Sequence, residues 1–442
     1  MMDDLEVAVE TEPELLENES PLSGATRAGI AVALHSRDLR LLFIGQVVSQ
    51  IGDSFLLIAM LTLVRSLTSS PVALALIAAS IGLPPVIFGL FAGVFVDRWD
   101  RRLTMLVADI VRGVAVLALL FVQDARGLPI MLVVGFVMGT MGVLFLPARN
   151  ALLPKMVPPE GLVAANLLVE GSQVAALVIG PALAGIFVAK FGAPTAIIAD
   201  SLTFLFSAVC IFFMRVHSDT VEDKPLTSGQ LRHELMEGLN AIRHSPLLIR
   251  LIGAGATNML ALGAVLVLGL VYFEAAFGVD PAGFGALLSI LGVGMIVGGA
   301  LVATPYAHAR PDLFVGISMA LLGVSLIALP FMDTLRTALA AIFVVGMSLI
   351  AARSVVGALI QMNVSNEKLG RVEAANNLVL GAAYNLGFLA SGALGAAIDT
   401  RVAFIMCGLL TLVAGFFAFR AIRHTPAPLP SDGTAPPPNA TT

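Results

Sequence analysis

The chain has 442 residues, of which 58% are hydrophobic and 12% charged, with a formal net charge of −5 and a mean hydropathy of +0.94. A soluble domain carries about 25% charged residues, so this chain has too little charge to cover a water-facing surface of its size. A large soluble enzyme is excluded, and an integral membrane protein is expected. Cys210 and Cys407 both lie in apolar runs, which offers neither a disulfide framework nor a cysteine metal site.

The N-terminal stretch 3–19 holds eight carboxylates and no base. It cannot bury enough apolar surface to fold and reads as a disordered acidic tail within 1–36. It lacks the basic start and apolar core of a signal peptide. A membrane crossing takes about 20 mostly apolar residues. Such runs fall near 39–64, 71–96, 103–122, 128–147, 162–189 and 194–215, then near 247–273, 281–306, 312–331, 337–360, 372–397 and 402–421. The expectation is an all-α membrane protein of twelve transmembrane helices. Its parts are a six-helix bundle over 37–215, a linker over 216–246, a second bundle over 247–422 and a disordered tail over 423–442.

An ionisable side chain at membrane depth is a functional candidate by default. In the first span Gln46, Gln50 and Asp53 are spaced i, i+4, i+7 and form one polar stripe with Ser49 beside them. Asp53 lies about 20 Å into that helix at 1.5 Å per residue. It is either the proton-coupling or cation-recognising acid, or a buried carboxylate bonded to its neighbours. Asp109 and Arg112 in the third span are i, i+3 and are expected to neutralise each other. Glu170, in the fifth span, has no evident local partner and is the second candidate proton carrier. Gly180, Pro181 and Gly185 in the same span remove a backbone donor and permit close helix packing. Asp200, in the sixth span, reads as structural.

The linker contains LRHELMEGLNAIRHS, in which Leu231, Leu235, Leu239 and Ile242 share one helical face. An amphipathic helix on the inner membrane surface is expected there. Beyond it, Asn258, Arg353, Tyr384 and Asn385 are the polar groups placed to line a cavity, and with Gln46 and Gln50 they are the candidate substrate-binding residues.

Orientation follows from Lys and Arg. With both termini inside, nineteen basic residues fall on the cytoplasmic side and five outside. The two bundles are also related in sequence. A shift of 210 residues carries Arg40 onto Arg250, Gly45 onto Gly255, Pro71 onto Pro281, Gly82 onto Gly292 and Ala165-Asn166 onto Ala375-Asn376. A shift of 204 brings PARN at 147–150 onto AARS at 351–354. Two repeated six-helix halves with a site between them are a transporter architecture.

Residues 93–102, between the second and third spans, read Gly-Val-Phe-Val-Asp-Arg-Trp-Asp-Arg-Arg. Asp97 at the end of one span, followed by Arg98, Arg101 and Arg102, fits a latch that holds the halves together in one state. Gly93 would let a second helix approach. This segment resembles the signature of the major facilitator superfamily, G-x-x-x-D-R-x-G-R-R, with Asp100 standing where that family usually has Gly. The phrases GQVVSQIGDS (45–54), PARNALLP (147–154) and IGPALAG (179–185) are similar to its macrolide-efflux and enterobactin-exporter branch. The resemblance covers about residues 37–422 and implies the major facilitator fold, two pseudo-symmetric six-helix bundles. It also implies that Asp97 and Arg101 favour the outward-facing state by docking near Gly370-Arg371-Val372-Glu373. An Arg common in the fourth helix of drug/proton antiporters is absent, since 128–146 carries no charge.

With no G-x-x-x-x-G-K-[ST] and no catalytic cluster, neither an ATP pump nor a membrane enzyme is indicated. Few Asn, Gln or inward Arg speak against sugar or anion uptake. A cavity rich in Met and Phe with one or two acids suits amphipathic molecules. The reading is a multi-pass plasma-membrane protein, monomeric and without cofactor, metal or nucleic-acid partner. It exports hydrophobic compounds in exchange for protons among membrane lipids. Siderophore export and uptake of a lipid-like solute are the alternatives.

Overall fold

The computed structural model describes residues 32, 33, 35–216 and 228–424, and for residues 90, 93–95, 97, 98, 228–232, 281 and 282 it describes the backbone alone. The acidic and C-terminal tails and the linker segment 217–227 lie outside the described residues. Helices in the first half are α1 (Arg37–Leu67), α2 (Pro71–Arg98), α3 (Arg101–Leu117), α4 (Leu128–Met156) and α5 (Leu162–Phe212). Next come the linker helix α6 (Ser228–Arg243), α7 (Pro246–Phe277), α8 (Pro281–Val302) and the short α9 (Pro305–Ala309). The chain ends with α10 (Pro311–Ala328), α11 (Leu335–Asn363), α12 (Asn366–Ala397) and α13 (Thr400–Arg423).

Among the described residues eleven helices are long and apolar enough to cross a membrane. One of them, α5, has 51 residues and is broken at Gly192, whose φ of 81° and ψ of 163° are not helical. That positive φ is open to glycine and strained for other residues. Leu162 to Phe191 and Ala193 to Phe212 each reach the about 20 residues of a crossing. Counted as two, α5 completes the twelve spans read from the sequence.

The helix starts follow from local chemistry. A helix leaves its first N–H groups without partners, and short polar side chains satisfy them. Ser36 Oγ accepts from Leu39 N at 3.2 Å, Ser245 Oγ from Leu248 N at 3.3 Å and Asp280 Oδ1 from Gly283 N at 2.7 Å. Asp100 accepts from Leu103 N at 2.7 Å. The residue that departs from the family signature is therefore the cap of α3.

Within each half, helices meet where small residues let backbones approach. α1 lies against α5, α2 against α4, α7 against α12, α8 against α11 and α10 against α13. The halves meet along two seams, α2 with α12 and α5 with α8. Gly392 of α12 faces Ala75 and Pro71 of α2, and Gly285 of α8 faces Pro181 of α5.

The linker helix corrects one expectation. Its apolar face does not lie open to the membrane surface. Leu235, Leu239 and Ile242 pack with Leu248, Leu251, Val372 and Ala375 of the second half. Glu237 Oε1 pairs with Arg371 Nη1 at 2.6 Å. The amphipathic pattern was answered by protein because the second turn of α12 sets a half-buried arginine, Arg371, beside the apolar Val372.

Candidate functional site

Asp53 is exposed on α1 and borders two cavities. The first, about 610 Å³, lies inside the N-terminal half, with Pro85 and Gly89 of α2, Arg112 of α3 and Met138, Gly142 and Pro147 of α4 on its walls. The second, about 390 Å³, lies between the halves. Gln50, Asp53 and Ser54 of α1 and Gln173, Leu177 and Pro181 of α5 face Leu262 and Leu266 of α7, Leu291 and Met295 of α8, and Tyr384 of α12. A third cavity of about 220 Å³ continues past Tyr384 to Phe284 and Phe388. Among the described residues Asp53 is the sole acid lining these three cavities, whose walls are otherwise apolar apart from Arg112 and a few neutral polar groups.

Behind Asp53 lies a charged layer. Arg112 Nη1 is 3.5 Å from Asp109 Oδ1, and Asp109 is fully buried. The Arg112 guanidinium also lies 5.0 Å from the Phe145 ring centroid and 5.4 Å from that of Phe204, a cation–π arrangement. Asp200 is fully buried on the second part of α5.

A second polar group sits where α4 meets α5. The uncharged run of the fourth span ends at Leu146, but the helix continues to Met156 and buries Arg149. Arg149 Nη2 is 3.4 Å from Glu170 Oε1, so Glu170 does have a partner, 21 residues back in sequence. Arg149 also donates to Asn150 Oδ1 at 3.1 and 3.0 Å. With its amide turned to satisfy both ends, Gln173 accepts from Arg149 Nη1 at 2.6 Å. Gln173 lines the inter-half cavity, so this network touches its wall. Sequence reasoning counted Arg149 only toward orientation; its recurrence as Arg353 in the repeat was the available signal.

The remaining candidates divide. Gln50 Oε1 lies 3.3 Å from Ser172 Oγ, whose hydroxyl donates to Val169 O at 2.7 Å, and Gln50, like Tyr384, faces the cavity. Asn385 bridges the halves, its Nδ2 donating to Gly82 O and Gly381 O, both at 2.9 Å. Gln46 is buried and is in none of these cavity walls. Asn258 is buried too and donates to Leu349 O at 3.0 Å, a role within the second half. Arg353 is exposed on α11 and lines none of these cavities.

In the 93–102 segment, the side chains of Gly93, Asp97 and Arg98 lie outside the described residues. Arg101 is buried. Arg102 donates through Nε to Ile211 O at 3.0 Å and through Nη2 to Phe212 O. It thereby satisfies carbonyls at the end of α5. Arg371, in the segment expected to receive the latch, pairs with Glu237. Gly180 faces Ser54 of α1, and beyond Pro181 the Ala182 N–H donates to Ser289 Oγ of α8 at 3.0 Å.

At one end an ion pair joins the halves. Arg65 Nε of α1 is 2.7 Å from Glu274 Oε2 of α7, and Arg65 Nη1 donates to Ser69 O at 3.0 Å. Neither member was singled out from the sequence, because each lies at the boundary of an apolar run where charge is ordinary.

Two related helical bundles with a largely apolar cavity between them are the architecture of a carrier. The Major Facilitator Superfamily pattern matches residues 42–383 and again 266–441, and the chain belongs to that family of membrane transporters. It is 26% identical over 403 residues to the uncharacterised MFS-type transporter YfiS of Bacillus subtilis, covering 86% of this chain and 92% of that one. It is 25% identical over 375 residues to macrolide efflux protein A of Streptococcus pyogenes, with 83% and 92% covered. Its fold is similar to that of a bacterial homologue of the human lysosomal transporter Spinster, in an inward-facing and unoccupied conformation, with a TM-score of 0.70 at 13% identity and 87% and 96% covered.

Proposed function

We propose that this transporter exports hydrophobic or amphipathic small molecules, of macrolide or drug type, in exchange for protons by alternating access. The observation that carries the reading is the cavity between the halves: about 390 Å³, apolar on most of its wall, with Asp53 its only acid among the described residues. Apolar walls with Met and Leu adapt to cargo of varied shape. An acid open to such a cavity can accept either a proton or a cationic cargo group, which ties the two fluxes together. A relative whose name gives its direction, the streptococcal macrolide efflux protein, supports export.

With both termini in the cytoplasm, the end where Arg65 and Glu274 join the halves is the outer one. Asp53 is then the coupling acid, with Gln50 and Tyr384 as cargo contacts. Glu170, held by Arg149 at the α4–α5 junction, is a second exchange group coupled to the cavity through Gln173. The test is uptake of a macrolide and of a cationic dye into inverted proteoliposomes with an imposed pH gradient. Accumulation that follows the gradient in wild type and is lost in Asp53→Asn supports the reading. Accumulation unchanged by that substitution removes Asp53 from the coupling step.

A further inference from the structure

We propose that Asp200 is the proton-holding acid of the N-terminal half and exchanges its proton with Asp53 at the cavity wall. This deepens the proton-coupled reading above and rests on it only for what the proton is used for.

Asp200 is fully buried, and its Oδ2 receives no hydrogen bond. Its Oδ1 has Thr203 Oγ1 at 3.5 Å, but the Thr203 hydroxyl already donates to the backbone oxygen of Asp200 at 2.7 Å. A hydroxyl has one proton to give and lone pairs to accept with. An ionised Asp200 would therefore face a hydroxyl with nothing to donate, and a buried carboxylate without donors is strongly disfavoured. A neutral Asp200 instead has a proton to offer, and Thr203 Oγ1 is placed to accept it.

The surrounding charges point the same way. Asp53, Asp109 and Asp200 share the field of one cation, Arg112. Arg112 is already engaged by Asp109 at 3.5 Å and by two aromatic faces. Three ionised carboxylates around one guanidinium would leave two uncompensated charges inside the membrane. Arg149 and Glu170 pair with each other farther along α4 and α5, and Cys210 packs on Gly45. Among the described residues no three acid, His or Cys side chains come close enough together to hold a metal ion, so the occupant is a proton.

Asp200 also touches the backbone that carries Asp53. A Cβ placed on Gly52 would lie 2.7 Å from Asp200 Oδ1. In the exchange the O–H bond on Asp200 breaks and one forms on the Asp53 carboxylate, so the charge of the cluster is unchanged. It changes only when Asp53 releases the proton to the cavity.

The test reads protonation directly. Wild-type protein in lipid is examined by infrared difference spectroscopy in H₂O and D₂O near neutral pH, with Asp53→Asn as the background that removes the cavity acid. The expected result is a deuterium-sensitive carbonyl band of a neutral carboxyl group that is lost in Asp53→Asn/Asp200→Asn and kept in Asp53→Asn/Asp109→Asn. A band undiminished by Asp200→Asn, or no such band in wild-type protein, overturns the proposal. Where the double variants fail to insert, Asp200→Glu, which keeps the carboxyl group, decides: the wild-type band is expected to shift in frequency, and an unshifted band overturns the proposal. If transport proves indifferent to the pH gradient while the Asp200 band is present, the coupling reading fails and the proton site stands.

Discussion

The two halves share a fold and a sequence register but handle charge in opposite ways. Every buried charged side chain among the described residues, Arg101, Asp109, Arg112, Arg149 and Asp200, belongs to the first half. The buried polar groups of the second half, among them Asn258, Ser348, Asn376 and Asn385, are neutral. At the 210-residue offset Asp53 corresponds to Gly263, Asp109 to Met319 and Arg112 to Leu322. Met319 and Leu322 are fully buried where α10 packs within its bundle. Gly263 presses against the backbone oxygen of Tyr384, 2.6 Å from where a Cβ would stand. The bundle thus packs without these charges, so their presence in the first half calls for a functional reason, and their absence from the second leaves it to supply apolar wall.

The sharpest way to break this comparison is Asp53→Asn, which removes the acid that the second half lacks. Gradient-driven transport in proteoliposomes is expected to be abolished while membrane insertion and macrolide binding persist. Next in size is the buried pair. Arg112→Leu leaves Asp109 buried without its cation, which costs about 3–5 kcal/mol, and thermal unfolding in detergent should drop accordingly. The double variant Asp109→Met/Arg112→Leu writes the second half's residues into the first. Its melting temperature is expected to return close to wild type, since apolar replacement of a buried pair is often neutral or better. Should the double variant melt as low as the single one, the pair is structural and the comparison loses its force.

A prediction for the other half runs the opposite way. A Cβ at Gly346 of α11 would collide with Leu291 O of α8. Gly346→Ala is expected to cost about 1–3 kcal/mol as overpacking, read as a lowered melting temperature, without altering the pH dependence of transport. The smallest effect belongs to the ion pair that joins the halves. Arg65 and Glu274 are partly exposed, and such pairs contribute at most about 1 kcal/mol. Glu274→Ala should raise the rate at which a membrane-impermeant thiol reagent labels a cysteine placed at Leu266 from the side of that pair, with stability unchanged.

Much of the fold was readable because a bilayer forces long apolar runs into helices. The break in α5 falls between the runs 162–189 and 194–215 that composition separated. That Asp53 would border a cavity was readable too, since it continues a polar stripe on an otherwise apolar helix. Asp200 was not. What marks it is the direction in which one threonine hydroxyl spends its proton, and no spacing rule encodes that. Glu170 was assigned no partner because Arg149 reaches it only through the packing of α4 on α5. The linker helix announced its apolar face, but not that Val372 and Ala375 would cover it.

The central claim is that hydrogen-ion flow through the charged half drives cargo out along the apolar one. It is tested most directly by counting protons and macrolide molecules moved by the same proteoliposomes, first with a pH difference across the membrane and then with it collapsed by a protonophore. The account predicts that macrolide accumulates against its gradient only while the difference lasts, with opposite proton movement in fixed ratio. Accumulation that continues at the same rate after collapse, with no proton counterflow, would contradict it.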